Sequence, residues 1–296
     1  MTDGGGITDV DGLAAALDRT AYLADDALAT ALFLAVRMRQ PILLEGEPGV
    51  GKTSAAVALA TALDTPLLRV QCYEGLAAAE ALYEWNYPRQ LLAIRLAEAR
   101  GTDLADADLF TEDYLLARPL LAAITHPGPG PAVLLVDEID RADDEFEAFL
   151  FEALAESAVT IPELGTRRAT VAPVVVLTSN RTRDLHDALK RRCLYHWIGY
   201  PDRDRVEEIV RRRVLEAAGW LAAQVTGAVH RMRNLELQKQ PGVAEAISWT
   251  RALDALGIEQ LDTAAAERTL GAVLKYEEDV RLARATGLDT LISGAG

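Results

Sequence analysis

The strings Ile42-Leu-Leu44 and Gly46-Glu-Pro-Gly-Val-Gly-Lys52-Thr53 decide the fold of this chain. The short apolar run predicts a buried parallel strand, and the alanine-rich run that starts at Lys52 predicts a helix. The glycine-rich string between them fits the pattern G-x-x-x-x-G-K-[ST], in which backbone N–H groups and a helix N-terminus surround phosphate oxygens. We therefore expect nucleotide phosphates to be bound by Gly46, Glu47, Pro48, Gly49, Val50, Gly51, Lys52, Thr53 and Ser54.

A second apolar run, Val133-Leu-Leu-Val136, ends in two adjacent acids, Asp137 and Glu138. Ligands of open α/β sheets lie at the carboxyl ends of the strands, so both acids are predicted to face the phosphates. The motif places Lys52 on the β- and γ-phosphates, and it makes Thr53 and Asp137 the expected ligands of a nucleotide-bound Mg²⁺. Glu138 would orient and deprotonate the attacking water, which predicts hydrolysis rather than binding alone. Because no guanine-specific Asn-Lys-x-Asp string is present, ATP is the expected nucleotide.

Composition excludes several classes of protein. The 296 residues are 50% hydrophobic, so the chain is not disordered as a whole. Its formal net charge of −15 disfavours a non-specific nucleic-acid binder, whose affinity comes from neutralising phosphates. The 2 cysteines are far apart and the 4 histidines show no ligand spacing, which predicts neither a disulfide framework nor a zinc site. Without a signal-peptide pattern or a long apolar run, we expect a soluble, cytoplasmic protein with no membrane span.

The order of the elements predicts an α/β fold with a parallel five-stranded sheet flanked by helices, followed by a C-terminal all-helical lid domain. We expect a flexible tail and first helix over residues 1–20, a nucleotide-binding domain over 21–200 and the lid over 201–296. Residues 72–90 are expected to be irregular. Further expected elements are a helix capped by Thr111 through Ile124, a hairpin of Val159–Ile161 with Ala169–Val171, helices over Asp202–Leu215, Leu221–Arg233, Ser248–Leu256 and Thr263–Ala285, and strands at Leu67–Val70, Val174–Leu177 and Leu194–Ile198.

Three further polar features are ambiguous by themselves. Asn180 ends an apolar strand, where its amide could bridge the γ-phosphate and the attacking water, although an Asn in a turn is an equally good interpretation. Lys190-Arg-Arg192 could be a solvated patch, and Arg251 could serve solubility on a helix surface. The alternating aromatic residues Tyr83, Trp85 and Tyr87 could grip a polypeptide or simply pack against the domain.

Taken together, these motifs resemble those of AAA+ ATPases, and more narrowly those of the MoxR family. The resemblance covers about residues 20 to 285 and rests on three strings, Leu44–Thr53, Leu135–Ala142 with Phe146–Phe149, and Val159–Gly165. The string Tyr83–Gln90 is similar to the MoxR branch found with von Willebrand factor A partners, including those linked to carbon monoxide dehydrogenase maturation.

The resemblance implies roles for individual residues. Asn180 would be sensor 1, and Arg192 would be the arginine finger that reaches a neighbouring subunit's γ-phosphate, with Arg191 the second choice. Arg251 would be the sensor 2 arginine of the lid, although Ser248-Trp-Thr precedes it where the family has Ser-Pro-Arg. Residues 72–90 would form the family's insertion near the ring pore.

The resemblance also implies an assembly and a task. An arginine finger in trans requires an oligomeric ring, which we expect to be a hexamer. ATP hydrolysis in that ring would remodel a client protein, or help to mature a client metalloenzyme, together with a von Willebrand factor A domain protein. A nucleic-acid machine related to clamp loaders or helicases is one alternative, and a switch whose ATP state only controls docking is another.

Overall fold

A computed structural model describes residues 7–214 and 219–293, apart from the side chain of Asp106. It divides the chain into two compact units. Of the described residues, the first unit comprises those up to Thr20, Ala24–Glu45 and Ala55–His196, and the second comprises Ala21–Leu23, Gly46–Ser54 and those from Trp197 onwards. Part of the expected N-terminal tail, residues 1–6, lies outside the described residues.

The first unit is built on a parallel sheet in the order β2-β5-β8-β1-β9, so the predicted fold class is confirmed. Its central strands are fully buried, and each begins with a run of Val, Leu or Ile, as expected where helices cover both faces. Val136 pairs with Leu177, and Leu44 pairs with Thr178, so β5, β8 and β1 end at one edge of the sheet. The strands are β1 (Ile42–Gly46), β2 (Leu67–Gln71), β5 (Val133–Asp137), β8 (Val174–Ser179) and β9 (Leu194–Ile198).

Three of the helices that surround this sheet are capped by aspartates. The side chains of Asp9, Asp25 and Asp143 each accept a backbone N–H in the first turn of α1, α2 and α8. The helices are α1 (Val10–Arg19), α2 (Asp26–Met38), α3 (Lys52–Ala62), α4 (Ala78–Leu82), α5 (Tyr87–Arg100), α6 (Asp106–Leu109), α7 (Pro119–Ile124), α8 (Asp144–Glu156) and α9 (Asp187–Arg192), with 3₁₀ turns at Glu112–Tyr114 and Ile139–Arg141.

The segment after β2 differs from the prediction, because most of residues 72–90 form helix or strand. They form α4, strand β3 (Tyr83–Trp85) and the start of α5. Asn86 caps α5 by accepting the N–H of Arg89, and Pro88 lies in the first helical turn, where its missing donor costs nothing. Pro88 therefore marks the start of a helix inside the range that was expected to be irregular.

The single helix expected from Thr111 to Ile124 is also wrong. Arg118 precedes Pro119 and has extended backbone (φ −86, ψ 170), as steric conflict with a following proline requires. The residues before it form strand β4 (Leu115–Ala117), which pairs antiparallel with β3. Together α4, α5, α6 and the antiparallel pair β3–β4 form the segment between β2 and α7, here called the insertion.

A second hairpin precedes β8, but its return strand differs from the prediction. It pairs β6 (Ala158–Ile161) with β7 (Gly165–Arg168), so the return strand lies within the expected turn and not at Ala169–Val171. Gly165 has φ +75 and pairs with Ile161, which closes the loop after only three residues.

The second unit has its own helical core around Trp249, which is fully buried and donates its indole N–H to Thr269 Oγ1 at 2.7 Å. The expected helix Thr263–Ala285 is interrupted, because Leu274 and Tyr276 have extended backbone. The expected helix from Ser248 begins five residues earlier, at Val243. The helices are α10 (Arg203–Arg213), α11 (Gly219–Met232), α12 (Val243–Ala255), α13 (Thr263–Val273), α14 (Glu277–Thr286) and α15 (Leu288–Ser293).

Candidate nucleotide site

The glycine-rich loop connects β1 to α3 and belongs to the second unit. Gly49 (φ +82) and Gly51 (φ +101) have left-handed backbone, which glycine adopts without steric cost. Lys52 is the first residue of α3, so the loop ends at helix N–H groups that have no partner within the helix. This local geometry is compatible with phosphate binding.

Lys52 is folded onto the loop itself. Its side chain is buried, and Nζ donates to the carbonyl oxygens of Gly46 at 2.7 Å and Glu47 at 2.8 Å. The ammonium group is therefore held inside the loop, where a phosphate would meet it, and Thr53 is half-buried one residue further along α3. A threonine hydroxyl and a carboxylate such as that of Asp137 are hard oxygen ligands of the kind that Mg²⁺ prefers, so the expected magnesium ligands fit the ion chemically.

Within the same unit, Arg233 contacts the loop. Its Nη2 lies 3.2 Å from Glu47 Oε2, and its Nη1 donates to the carbonyl of Pro241 at 2.8 Å. The guanidinium also lies 3.6 Å from the centroid of the Tyr200 ring, and only 16% of the Arg233 side chain is exposed. Burial raises the pKa of Tyr200, while the neighbouring Arg233 acts in the opposite direction.

The start of α12 also approaches the loop. Glu245 Oε2 accepts the N–H of Gly242 at 2.8 Å, and a Cβ placed on Gly49 would lie only 3.2 Å from the same oxygen. Arg251 lies two turns further along α12, where its Nη2 donates to the carbonyl of Arg213 at 3.3 Å. The structure thus brings Arg233 and Glu245 to the loop, and it places the side chain of Arg251 elsewhere on the helical unit.

In the first unit, one threonine holds both predicted acids. Thr178 Oγ1 donates to Asp137 Oδ1 at 2.5 Å and accepts the backbone N–H of Glu138 at 2.9 Å. Asp137 is buried, whereas 31% of the Glu138 side chain is exposed. Glu138 has left-handed backbone (φ +55, ψ 48), a conformation that costs free energy in a non-glycine residue and occurs preferentially at functional sites.

Two side chains of β2 contact the same acids. Arg69 Nη2 lies 2.5 Å from Asp137 Oδ2, and Gln71 Nε2 donates to Glu138 Oε2 at 3.2 Å. Arg69 also donates to Gln71 Oε1 at 2.5 Å. Glu138 has a second basic neighbour, because Arg141 Nε lies 3.2 Å from its Oε2.

Asp140 fixes the turn that carries Asn180. Its Oδ2 accepts the backbone N–H of Asn180 at 3.2 Å, and the N–H and hydroxyl of Thr182 at 2.8 and 2.7 Å. Arg181 between them has φ +58, and its Nε lies 3.6 Å from the buried Glu45. Asn180, half-buried at the end of β8, therefore follows the same sheet edge as Asp137 and Glu138.

The arginines at the end of α9 differ in their surroundings. The Arg192 guanidinium lies 4.3 Å from the ring centroid of Phe151. Arg191 is exposed, and within residues 7–214 and 219–293 its side chain makes no hydrogen bond or ion pair. Both line a cleft of about 410 Å³ together with Arg39 and Met38.

The three aromatic residues of the insertion do not share one environment. Trp85 is buried and packs edge-on against Phe110 at 5.2 Å, and Tyr83 is half-buried beside Trp85. Tyr87 is 62% exposed. Packing therefore accounts for Trp85, and of the three only Tyr87 presents most of its ring to solvent.

Sequence reasoning missed six residues that contact the predicted ones. Some carried a readable signal. The alternation on β2 points two of the side chains to one side of the strand, and Gly-x-x-Glu marks the start of α12. The others depend on tertiary contacts that no local pattern encodes. The six are Arg69, Gln71, Asp140, Thr178, Arg233 and Glu245.

In the described part of the chain, no group of three or more His, Cys, Asp or Glu side chains could hold a metal ion. None of its helices has the length and apolar character needed to cross a membrane.

A family model for the AAA domain, dynein-related subfamily, matches residues 41–193. The chain belongs to this family. The match begins just before β1 and ends after α9, so the phosphate loop, both acids and Asn180 all lie within it. This AAA protein is an ATPase of the AAA+ fold. A search of curated protein sequences finds no match.

Solved structures with a similar fold include RuvB proteins of Thermotoga maritima. One RuvB variant has a TM-score of 0.52 at 19% identity, over 88% of this chain and 73% of that one. A second has a TM-score of 0.50 at 17% identity, over 86% and 72%. At this level of identity the likeness describes the fold of this AAA protein.

Proposed function

We propose that this AAA-family ATPase is a MoxR-type machine that hydrolyses ATP in an oligomeric ring, expected to be a hexamer in the cytoplasm. Its work would be to remodel or mature a client protein, with metal-cofactor insertion or enzyme activation the favoured task. A von Willebrand factor A domain protein is the proposed partner, and a metalloenzyme is the proposed client. The strings Leu135–Ala142, Val159–Gly165 and Tyr83–Gln90 support this narrower assignment.

Each predicted residue then has a chemical task. The residues from Gly46 to Ser54 bind the phosphates through N–H groups, and Lys52 would exchange its two carbonyl partners for phosphate oxygens. Thr53 and Asp137 would hold Mg²⁺, which supplies positive charge that polarises the phosphates when it is bound. Glu138 would take a proton from the attacking water, and Asn180 would orient that water.

The observation that best supports hydrolysis is the position of the Thr178 hydroxyl between the two acids. It fixes the Asp137 carboxylate and the backbone of Glu138 at once. The Glu138 carboxylate remains partly exposed, so water can reach it. A general base that is fixed in place yet accessible supports turnover rather than binding alone.

A shared site between subunits is supported by the end of α9. Arg191 is exposed and its side chain has no hydrogen bond or ion pair in the described residues, while Arg192 is stacked on Phe151 close by. An uncommitted guanidinium at a helix end suits contact with a phosphate of another subunit. An arginine supplied in trans is worth roughly 10³–10⁵ in rate in other nucleotide hydrolases.

The experiment that tests the shared site is turnover per chain measured against protein concentration. Activity should rise steeply as the chain assembles, with light scattering recording the oligomeric state in the same samples. Equal turnover per chain in dilute monomer and in concentrated protein would contradict the ring. Glu138→Gln should hold ATP without cleaving it, and a pull-down in that state would identify the partner and the client.

Two other functions make different predictions. A nucleic-acid machine should shift single- or double-stranded DNA in a salt-dependent gel assay, and the net charge of −15 argues against that result. A docking switch would keep its full biological activity in the Glu138→Gln variant, because turnover would be dispensable. A remodelling ATPase should lose activity in the same variant.

A further inference from the structure

Arg69 forms an ion pair with the carboxylate oxygen of Asp137 that does not accept the hydrogen bond of Thr178. Its Nη2 lies 2.5 Å from Asp137 Oδ2, while Thr178 donates to Oδ1. Only 3% of the Asp137 side chain is exposed, compared with 50% for Arg69. Both oxygens of this buried carboxylate therefore carry a donor from the protein, and one of the donors is a full positive charge.

The same guanidinium is linked to the second acid. Arg69 Nη2 donates to Gln71 Oε1 at 2.5 Å, and the amide of Gln71 donates to Glu138 Oε2 at 3.2 Å. Since the residues alternate along β2, positions 69 and 71 lie on the same side of the strand. A movement of Arg69 would thus be transmitted to Glu138 through a single amide.

A divalent cation and a guanidinium compete for one carboxylate. Two positive groups close to Asp137 repel each other, and a metal ligand must give up part of its contact with other cations. Because the Arg69 side chain is half exposed, water and salt weaken this repulsion, and the guanidinium has room to leave.

We infer that Arg69 is a positioning residue that opposes Mg²⁺ at Asp137 and, through Gln71, keeps Glu138 in place until the ion arrives. This rests on the proposed function, which assigns Asp137 to magnesium. Binding of Mg²⁺ would displace Arg69 and loosen the hold of Gln71 on the catalytic acid. Glu138 would keep its contact with Arg141.

The test compares nucleotide affinity with and without magnesium. Binding of a fluorescent, non-hydrolysable ATP analogue is titrated in Mg²⁺ and in EDTA. The Kd in EDTA divided by the Kd in Mg²⁺ is the ratio that measures the contribution of the ion. The variant is Arg69→Met, which keeps the length of the side chain without the charge. The matched control is Arg118→Met, because Arg118 has the same 50% exposure and forms an ion pair with Glu84 instead of Asp137.

In Arg69→Met the ratio should rise by roughly three- to tenfold, with little change in the Kd measured in EDTA. Arg118→Met should keep the wild-type ratio. An unchanged or smaller ratio in Arg69→Met, with magnesium-dependent binding intact in the wild type, would overturn the inference while leaving the proposed function standing. If the wild type itself binds the analogue equally in Mg²⁺ and EDTA, the magnesium assignment of the proposed function is what fails.

Thermal unfolding of each variant shows separately whether it folds, because a folded variant has a cooperative transition. If Arg69→Met lacks that transition, Arg69→Gln decides the question by the same ratio. It keeps a donor for Asp137 but removes the charge, so a rise in the ratio supports the inference and an unchanged ratio overturns it.

Discussion

Arg233 forms an ion pair with Glu47, with 3.2 Å between Nη2 and Oε2, and so joins the helical unit to the phosphate loop that clusters with it. The Arg233 side chain is mostly buried and stacks on Tyr200, whereas Arg251 is exposed and makes one long hydrogen bond to a carbonyl. The two arginines of this unit should therefore contribute very differently to stability.

We expect Arg233→Met to lower the free energy of unfolding by about 1–2 kcal/mol, because a carboxylate, a carbonyl and an aromatic ring lose their contact with the mostly buried guanidinium. Arg251→Met should stay within about 0.5 kcal/mol of the wild type. Urea unfolding of both variants measures the difference, and similar losses would contradict it. ATP turnover of the same pair tests the proposed sensor 2 role, since a specific loss in Arg251→Met would support it.

Lys52→Ala should weaken ATP binding by at least about tenfold, because it removes the positive charge held inside the loop. The control is Lys275→Ala. Lys275 Nζ also donates to two backbone carbonyls, those of Gly271 and Ala272, but it does so at the exposed end of α13. Fluorescence titration with an ATP analogue gives both affinities. Equal losses in the two variants would show that the effect at Lys52 is not specific to the loop.

Thr178→Val should both destabilise the protein and slow hydrolysis. The change leaves Asp137 Oδ1 and the Glu138 N–H without their hydroxyl partner in a buried site, which costs about 1–3 kcal/mol. Turnover should fall because the backbone of the general base is no longer fixed.

Thr226→Val is the matched control for this prediction. Thr226 is also buried, but among the described residues its hydroxyl has no hydrogen-bond partner, so replacing it with an isosteric apolar group should be neutral or stabilising. Thermal unfolding of the two valine variants should therefore differ in sign or at least in size. A loss of stability in Thr226→Val equal to that in Thr178→Val would refute the prediction.

Replacing the finger arginine with alanine should preserve ATP binding and reduce turnover by roughly 10³-fold or more. Arg192→Ala and Arg191→Ala are compared with Lys190→Ala, which removes the same charge from the same helix. Arg192 is the first choice from the family pattern, while the exposure of Arg191 keeps it in the comparison. Whichever variant binds ATP normally but fails to hydrolyse it identifies the finger, and normal turnover in both would exclude this pair.

Cys72 and Cys193 should resist alkylation in the folded protein. Burial raises the pKa of each thiol from 9.0 to about 12, and nearby acids, Asp137 first among them, add to the effect at Cys72. Iodoacetamide at pH 8.5 should therefore label neither thiol until urea is added, with mass spectrometry as the measurement.

The same shift has a consequence for stability. Because the folded thiols bind their protons more tightly than the unfolded ones, the stability they contribute is complete below pH 9.0. It is lost as the pH rises from there towards about 12. Rapid native labelling at pH 8.5 would show that these thiols are accessible thiolates.

The sequence predicted the parts of the fold that depend on chain-local patterns. The glycine-rich loop, the acid-ended strand and the buried strands carry their own periodicity and turn chemistry. The predicted ends of β1, β5 and β8 therefore lie within two residues of the observed ends. The prediction for the insertion was wrong, also for a local reason. Pro88 and Pro119 are compatible with helix starts, and only the Asn86 cap and the extended Arg118 show that each of them is one.

The contacts that hold the acids were beyond prediction for a different reason. Thr178 meets Glu138 because two parallel strands share a register, and a register is set by packing across the sheet. Arg69 reaches Asp137 across a strand pair in the same way. Sequence periodicity names the residues at a sheet edge, but it does not say which of them touch.

The left-handed backbone of Glu138 constrains which amino acids position 138 can tolerate, apart from any chemistry. Asn and Gly enter that region of backbone space most easily, and β-branched residues enter it with the greatest strain. A library selected only for soluble expression should thus be enriched in Gly and Asn at this codon and depleted of Val, Ile and Thr. A glutamate retained there despite its backbone cost would mark selection for activity over folding.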